Sequence, residues 1–514
     1  YFLWHLFFAD VFKDKGFDIV IGNPPYIQLQ KMGKVADLLQ NEGYETFRRT
    51  GDIYTLFYEK ANMILKPKGI LSYITSNTWM RTKSGDGLRN YFTSQTNIIN
   101  LLNFEDTQIF PSATVEVNIL LSKKEDWDNT IRATAVKSDY KKGTDIADYE
   151  SKNHIVLNEV SDESWVILDS NSAKIKTQIE TIGTQLLSWK NGKWKVDFYR
   201  GFLTGFNDAF FIDEDTKNKI IAQEPQAEKI IKPLLRGREI KKYNYVFTNN
   251  YVIFPHNGLK KKDNEIPRID INDYPIVKKH LEQEKYWEHV EKRSDQGDTP
   301  YNLRNCAYLE VFDNEKIVWL SISDKPAFAL DNSNMYVTAP AYIMTSQCNK
   351  YLLALLNSKT MEWYLDKVSS STGQGTNQWS KIFVEQLPIP QIEDYRKELL
   401  ENLVIFINYL KDKKTTAIND TVKNEHIANF FEDVIDGCVF ELYFEEHMKE
   451  KGINIIDDVK NYIENSSLTN DFENLKEDIK KQKIWELYKN LKDSLVQQKM
   501  RMFVVKSPDI LKPI

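Results

Sequence analysis

The chain has 514 residues, 41% hydrophobic and 28% charged, with a formal net charge of −6. That is the composition of an ordinary globular protein of about three domains, and it excludes a low-complexity chain. No apolar run is long enough to cross a bilayer, and a net negative charge means that any nucleic-acid binding must use a local groove.

The start, Tyr1-Phe2-Leu3-Trp4-His5, has no initiator Met and no signal-peptide pattern, and reads as a cut inside a longer polypeptide. Cys306, Cys348 and Cys438 lie far apart, without a Cys or His at zinc spacing. They read as buried thiols of a reducing, cytoplasmic compartment.

The apolar run Phe17-Asp18-Ile19-Val20-Ile21 is expected to be a buried strand, and it ends in Gly22-Asn23-Pro24-Pro25-Tyr26-Ile27. Two prolines fix φ and donate no N–H, so the turn is stiff. It offers the Asn23 side-chain oxygen, the Pro24 carbonyl and the flat Tyr26 ring around one point. That set suits a planar amino group with a delocalised lone pair. Two acceptors can draw it toward a tetrahedral geometry while a ring stacks on the base. The plainer reading is an Asn-capped Pro-Pro turn with Tyr26 as packing.

Ile53, Leu56, Phe57, Ala61, Ile64 and Leu65 recur at helical spacing, and Lys66-Pro67-Lys68-Gly69 stops that helix. Ile70–Thr75 reads as the next strand, Leu88–Ser94 as a short helix, and 98–102 and Val115–Leu121 as strands. The alternation predicts an α/β sheet over the first 160 residues, with ligands at the strand carboxyl ends. After about residue 165 short strands are expected at Val246-Phe247, Tyr251–Phe254, Lys316–Leu320 and Tyr336–Thr338, with helices at Tyr351–Leu356 and up to Tyr364. From Tyr395 onward, charged amphipathic stretches predict a helical tail.

Residues 17–27 resemble the catalytic motif of S-adenosylmethionine-dependent amino-group methyltransferases. The first third is similar to the adenine-N6 DNA methyltransferases of type IIG, Eco57I-like restriction-modification enzymes. The resemblance extends through Asp52–Ala61, Leu65–Gly69, Ile74–Trp79 and Ile109-Phe110-Pro111-Ser112-Ala113-Thr114-Val115. It implies that Asn23 and Pro24 accept hydrogen bonds from the amine, with Pro25 stiffening the turn. Tyr26 and Phe110 would stack on an adenine flipped out of the duplex. Phe57 would lie against the methyl donor, with Asn23 beside it. For Phe57 the alternative is a plain core aromatic. The family's glycine-rich cofactor turn precedes this motif, and nothing in Tyr1–Gly22 looks like it. The main cofactor-binding segment is therefore expected to be missing, together with any nuclease segment of the same polypeptide, and the chain to be inactive alone.

Tyr199–Ile212, Ile231–Ile240, Leu353–Lys359 and Leu387–Pro390 resemble the target-recognition domain of the same enzymes. Lys229, Lys232, Arg236, Arg238, Lys241 and Lys242 crowd one stretch against a single acid, Glu239. Such a patch can grip phosphates and base edges, or be a solvated helix face. Gly201 and Gly205 permit close backbone approach. Ser369–Gln378 is a polar loop whose Gln374 and Asn377 amides could read adenine, or a simple connector. Lys260-Lys261-Lys262 reads as a solvated turn. Glu315-Lys316 resembles a nuclease acid–Lys pair, but its run into Ile317–Leu320 fits the recognition domain.

The expected architecture is thus α/β, a partial methyltransferase sheet (1–165), then an α+β target-recognition domain (166–395) and a helical C-terminal region (396–514). Double-stranded DNA is the expected partner and no membrane is involved. A non-catalytic DNA-binding specificity module is the alternative. RNA or protein glutamine remains a further possible substrate of the motif.

Overall fold

The computed structural model describes residues 3–104, 109–110, 116–137, 140–141, 143–158, 160, 164–191, 194–261, 264–369, 377–466 and 472–514. They form a mixed α/β protein that divides into two compact units, residues 1–176 with 366–378 and residues 177–365 with 379–514.

The first unit is built on a six-stranded sheet: β1 (Phe17–Gly22), β2 (Leu65–Ser76), β3 (Asn97–Phe104), β4 (Val117–Lys123), β5 (Thr130–Val136) and β6 (Ile155–Asn158). Its order is β1-β2-β4-β3-β5-β6. β1 runs parallel to β2, and β4 lies antiparallel between β2 and β3. The helices Tyr54–Ile64 and Asp86–Gln95 cover one face. There Tyr54, Tyr58, Ala61, Leu88 and Phe92 share a core with Leu71, Tyr73, Leu101, Leu120 and Ile131. The other face carries a smaller cluster of Phe104, Val117 and Val136. Burial alternates along β2 through Leu71, Tyr73 and Thr75, the period of a strand between two faces.

β1 departs from expectation. Its continuous apolar run suggests burial on both faces, yet β1 is the edge of the sheet, with Ile19 61% and Ile21 79% exposed. Apolar composition reports what a strand can bury, not whether a neighbour is there.

The second unit holds two four-stranded sheets. One joins Tyr336–Val337, Ile231–Leu235, Asn250–Ile253 and Phe211–Asp213 in that order; the other joins Phe328–Asp331, Lys316–Leu320, Ala341–Thr345 and Asp197–Arg200. Both feed one core, which includes Phe202, Leu234, Val252, Val318, Ala329 and Ile343. The helices Asp394–Lys411, Asn424–Glu450 and Glu477–Lys492 belong to the same unit. Phe406 of the first packs on Phe431 of the second, with ring centroids 6.1 Å apart.

Val246-Phe247 is not a strand. The chain there makes only isolated bridges, Ile240 to Tyr245 and Tyr243 to Ala329. The basic stretch runs through the strand Ile231–Leu235 and a single turn at Gly237–Glu239.

Candidate active site

β1 ends at Gly22, which pairs with Tyr73 of β2. The two strands are parallel, so their carboxyl ends open on the same side, where open α/β sheets bind ligands. The strand cannot continue through Pro24 and Pro25, which have no N–H for a ladder. Pro24 is buried, while Asn23 and Pro25 are exposed. One proline ring anchors the turn and the amide faces outward.

Tyr26 closes back on the motif. Its hydroxyl donates to Asn23 Oδ1 at 2.9 Å and reaches the Ile74 carbonyl at 3.3 Å. Its ring meets Tyr54 edge to face at 6.0 Å. Partial burial raises the phenol above its ordinary pKa, so it stays a protonated donor at neutral pH.

Tyr26 and Phe110 both pack, half buried, against Phe104, Val117 and Val136. Two rings 84 positions apart in sequence thus meet one cluster. Most of the later motif, residues 111–115 including Pro111, lies outside the described residues.

The helix Tyr54–Ile64 is tied to the motif through the backbone. Leu29 N donates to Gly51 O, and Ile53 N to Ile27 O, each at 2.9 Å. Tyr54, Leu56, Tyr58 and Ala61 are buried, but Phe57, on the first turn, is 39% exposed. It is not a core aromatic. Its ring and the Asn23 amide could hold part of a cofactor. Among the described residues no glycine-rich turn follows a strand to complete the pocket, so the fit is partial.

A polar rim went unread in the sequence. Tyr58 Oη lies 3.0 Å from Thr75 Oγ1, which lies 3.0 Å from the Asn118 amide. Tyr54 Oη lies 3.0 Å from Thr78 Oγ1, and Asn77 Nδ2 donates to Asn103 Oδ1 at 2.9 Å. The run Thr75-Ser76-Asn77-Thr78 after an apolar strand was the available signal. These bonds fix the β2 end against which Tyr26 rests. Burial also raises the carboxyl pKa of Asp52, opposed by Lys31.

The basic residues of the second unit divide into two kinds. Arg238 and Lys241 are exposed and make no ion pair among the described residues. Lys242 is consumed internally, donating to Glu362 Oε2 at 2.9 Å and to the Asn357 carbonyl at 3.2 Å. Arg236 is half buried, donating to Asn250 Oδ1 at 3.0 Å with its guanidinium 5.5 Å from the Phe211 ring centroid. Glu239 caps the intervening turn through Arg236 N at 2.9 Å. The close approach at Gly201 is internal. A Cβ there would lie 2.6 Å from Ala339 N, within the Thr338–Ala339 backbone. Gln374 lies outside the described residues, as does the Asn377 side chain. Lys316 is a core ion pair, 2.6 Å from Asp331 Oδ2 with both side chains fully buried.

Comparison with known proteins covers both units. Residues 1–110 match the family described as Eco57I restriction-modification methylase, and residues 232–389 match the TaqI-like C-terminal specificity domain. The chain is 23% identical over 471 residues to the type II methyltransferase M.BanIII of Aneurinibacillus aneurinilyticus, across 82% of this chain and 77% of that protein. It is 20% identical over 434 residues to the type II methyltransferase M.BstVI of Geobacillus stearothermophilus, across 80% and 74%. Among solved structures, the type IIL restriction-modification enzyme MmeI in complex with DNA superposes with a TM-score of 0.57 at 16% identity. That likeness is one of fold, and it covers 85% of this chain but 55% of that enzyme.

Proposed function

Because the chain belongs to the restriction-modification methyltransferase family, we propose that it is the base-handling and sequence-reading part of a DNA adenine-N6 methyltransferase. The observation that carries this is the grouping of Tyr26 and Phe110 on one cluster beside the outward Asn23 amide. The adenine amine is inaccessible inside a duplex, so the base must be everted. Asn23 Oδ1 and the Pro24 carbonyl would accept its two N–H bonds, while Tyr26 and Phe110 would stack on the ring.

S-adenosylmethionine would supply the electrophilic methyl group, and the Phe57 ring and the Asn23 amide fit part of it. The open edge of β1 and the lack, among the described residues of the first unit, of a glycine-rich turn after a strand support a pocket completed by further chain, with or without a nuclease. In the second unit Arg238 and Lys241 would contact phosphate or base edges, and Arg236 would position them. Gln374 and Asn377 remain candidate base readers. The boundaries near residues 165 and 395 would separate catalytic, recognition and helical parts, with double-stranded DNA as partner in a prokaryotic cytoplasm.

The incomplete pocket also favours a second reading, a specificity module that binds DNA and leaves chemistry to another subunit. Labelled S-adenosylmethionine and duplex DNA, incubated with the longest native polypeptide containing these residues, separate the two. Label in N6-methyladenine after nucleoside digestion is the expected result. Sequence-specific DNA binding without label in any base would establish the second reading.

A further inference from the structure

The second unit contains a cleft of about 620 Å³ that the methyltransferase reading does not use. It is lined by Asn244, Tyr245 and Phe247, just past the basic stretch, by Asn408 and Tyr409 of the helix Asp394–Lys411, by Asp412-Lys413-Lys414 just beyond that helix, and by Phe472. The volume is that of a small-ligand site.

Its chemistry has three parts. The first is charge. Lys350, Lys413 and Lys414 line the cleft and form no ion pair among the described residues. Lys480 is different, since it already donates to Glu477 Oε1 at 3.2 Å and sits over the Phe472 and Tyr409 rings at 5.7 and 5.8 Å. Against these stand two acids, Asp412 and Glu473, and Asp412 Oδ1 already accepts from Lys414 N at 2.9 Å. The second part is flat apolar surface: Phe247 and Tyr245 are half buried, and Tyr409 meets Phe472 edge to face at 5.4 Å. The third is an unused acceptor. Asn408 Oδ1 is buried and has no hydrogen-bond partner among the described residues, although leaving a buried polar atom unpaired is costly. The other lining amides are occupied. Asn244 Oδ1 accepts from Tyr245 N at 2.7 Å, and Asn332 Oδ1 from Ser333 Oγ at 3.3 Å.

We propose that this cleft binds a nucleoside phosphate, with the base between the aromatic side chains, its exocyclic amine on Asn408 Oδ1, and its phosphates on Lys350, Lys413 and Lys414. Neither a bare phosphate nor a nucleoside uses all three parts. The site is independent of the Asn23 motif, so its failure and the failure of the methyltransferase reading are separate events.

The test is calorimetric titration of the whole chain with ATP, adenosine and inorganic pyrophosphate at constant ionic strength. ATP is expected to bind at least about tenfold more tightly than either part alone, the worth of one added charge-assisted bond. The exposed double variant K413E/K414E should weaken ATP by about tenfold or more while leaving the melting temperature unchanged. Asn408→Leu should also weaken ATP while folding at least as well, because it removes an unpaired acceptor. No ATP binding at millimolar concentration overturns the proposal. So does pyrophosphate binding as tightly as ATP, which would mark a simple charge trap. Loss of duplex DNA affinity in K413E/K414E with ATP affinity unchanged would also overturn it, assigning these lysines to the DNA path.

Discussion

The Tyr26 hydroxyl donates, at 2.9 Å, to the same Asn23 oxygen that the proposed chemistry assigns to an incoming amine. An amide oxygen has two lone pairs and can hold both partners. The phenol therefore aims the amide and need not leave before substrate arrives. Tyr26→Phe keeps the ring and loses the aim, and should reduce methyl transfer by about tenfold or less, the worth of one hydrogen bond. Tyr26→Ala also loses the stack and should cost about 10–100-fold more. Equal turnover in the two variants would show that the ring contributes nothing.

Asn23→Ala removes the acceptor itself. Methyl transfer should fall by about 10²–10³-fold, as for other preorganised polar groups at a reacting centre. Specific DNA affinity, measured by anisotropy, should be unchanged, because the phosphate and base contacts are assigned to the other unit. Near-normal turnover would remove the motif from the chemistry.

Arg238 and Lys242 are only four positions apart yet should behave differently. Replacing Arg238 and Lys241 together by Ala should weaken DNA binding and reduce the slope of log K against log salt by about 1.8, at roughly 0.9 per phosphate contact. Lys242→Ala should leave that slope alone. It should instead lower stability by on the order of 1 kcal/mol, because it strips a half-buried Glu362 of a partner. A changed salt slope in Lys242→Ala would place that ammonium on DNA.

Gly201→Ala tests where close approach is needed. The added methyl has no room beside the Ala339 nitrogen, 2.6 Å away, and backbone cannot swing aside as a side chain can. A destabilisation of about 2–3 kcal/mol is expected in urea. A neutral result would show that the 201 and 338–339 segments part readily.

Glu445 supplies a pH signature in the helical tail. The Arg396 guanidinium, donating at 3.0 and 3.3 Å, holds its carboxyl at about 2, with help from Lys449. A depressed carboxylate contributes stability above its ordinary value of 4.5 and loses it as pH falls toward 2. Glu445→Gln should melt lower than the parent at neutral pH, and the two curves should converge across that window. A constant gap from pH 7 to 2 would show that the charge is not what Arg396 binds.

Much of the first unit was legible because its elements obey a single period. β2 alternates and the helix beginning at Tyr54 repeats every three or four residues, although it ends at Ile64 and the expected stop at Pro67 and Gly69 lies inside β2. The tail was legible for the same reason. Val246-Phe247 misled because two β-branched or aromatic residues are compatible with a strand, whereas ladder pairing depends on a partner distant in sequence. Glu214–Gln223 and Glu284–Lys292 were missed because few of their residues are buried: Ile220 in the first and Val290 in the second. In the site, Asn23 to Tyr26 stood out chemically, but a link between Tyr26 and Phe110 was expected from motif resemblance alone, because no local spacing encodes packing on one cluster from positions 84 residues apart. The run Thr75–Thr78 signalled polar chemistry at the end of β2, but its partners Asn118 and Asn103 lie far along the chain and could not be paired with it by spacing.

The bare flank of β1 carries a liability as well as a clue. Among the described residues no strand pairs with the outer side of β1, and an edge of free amides and carbonyls beside Ile19 and Ile21 is a template for foreign chain that drives self-association when nothing shields it. Handled by itself at high concentration, the first unit would be prone to zip onto copies of itself through this flank. A polar replacement at Ile21 is then the natural remedy for keeping it in solution.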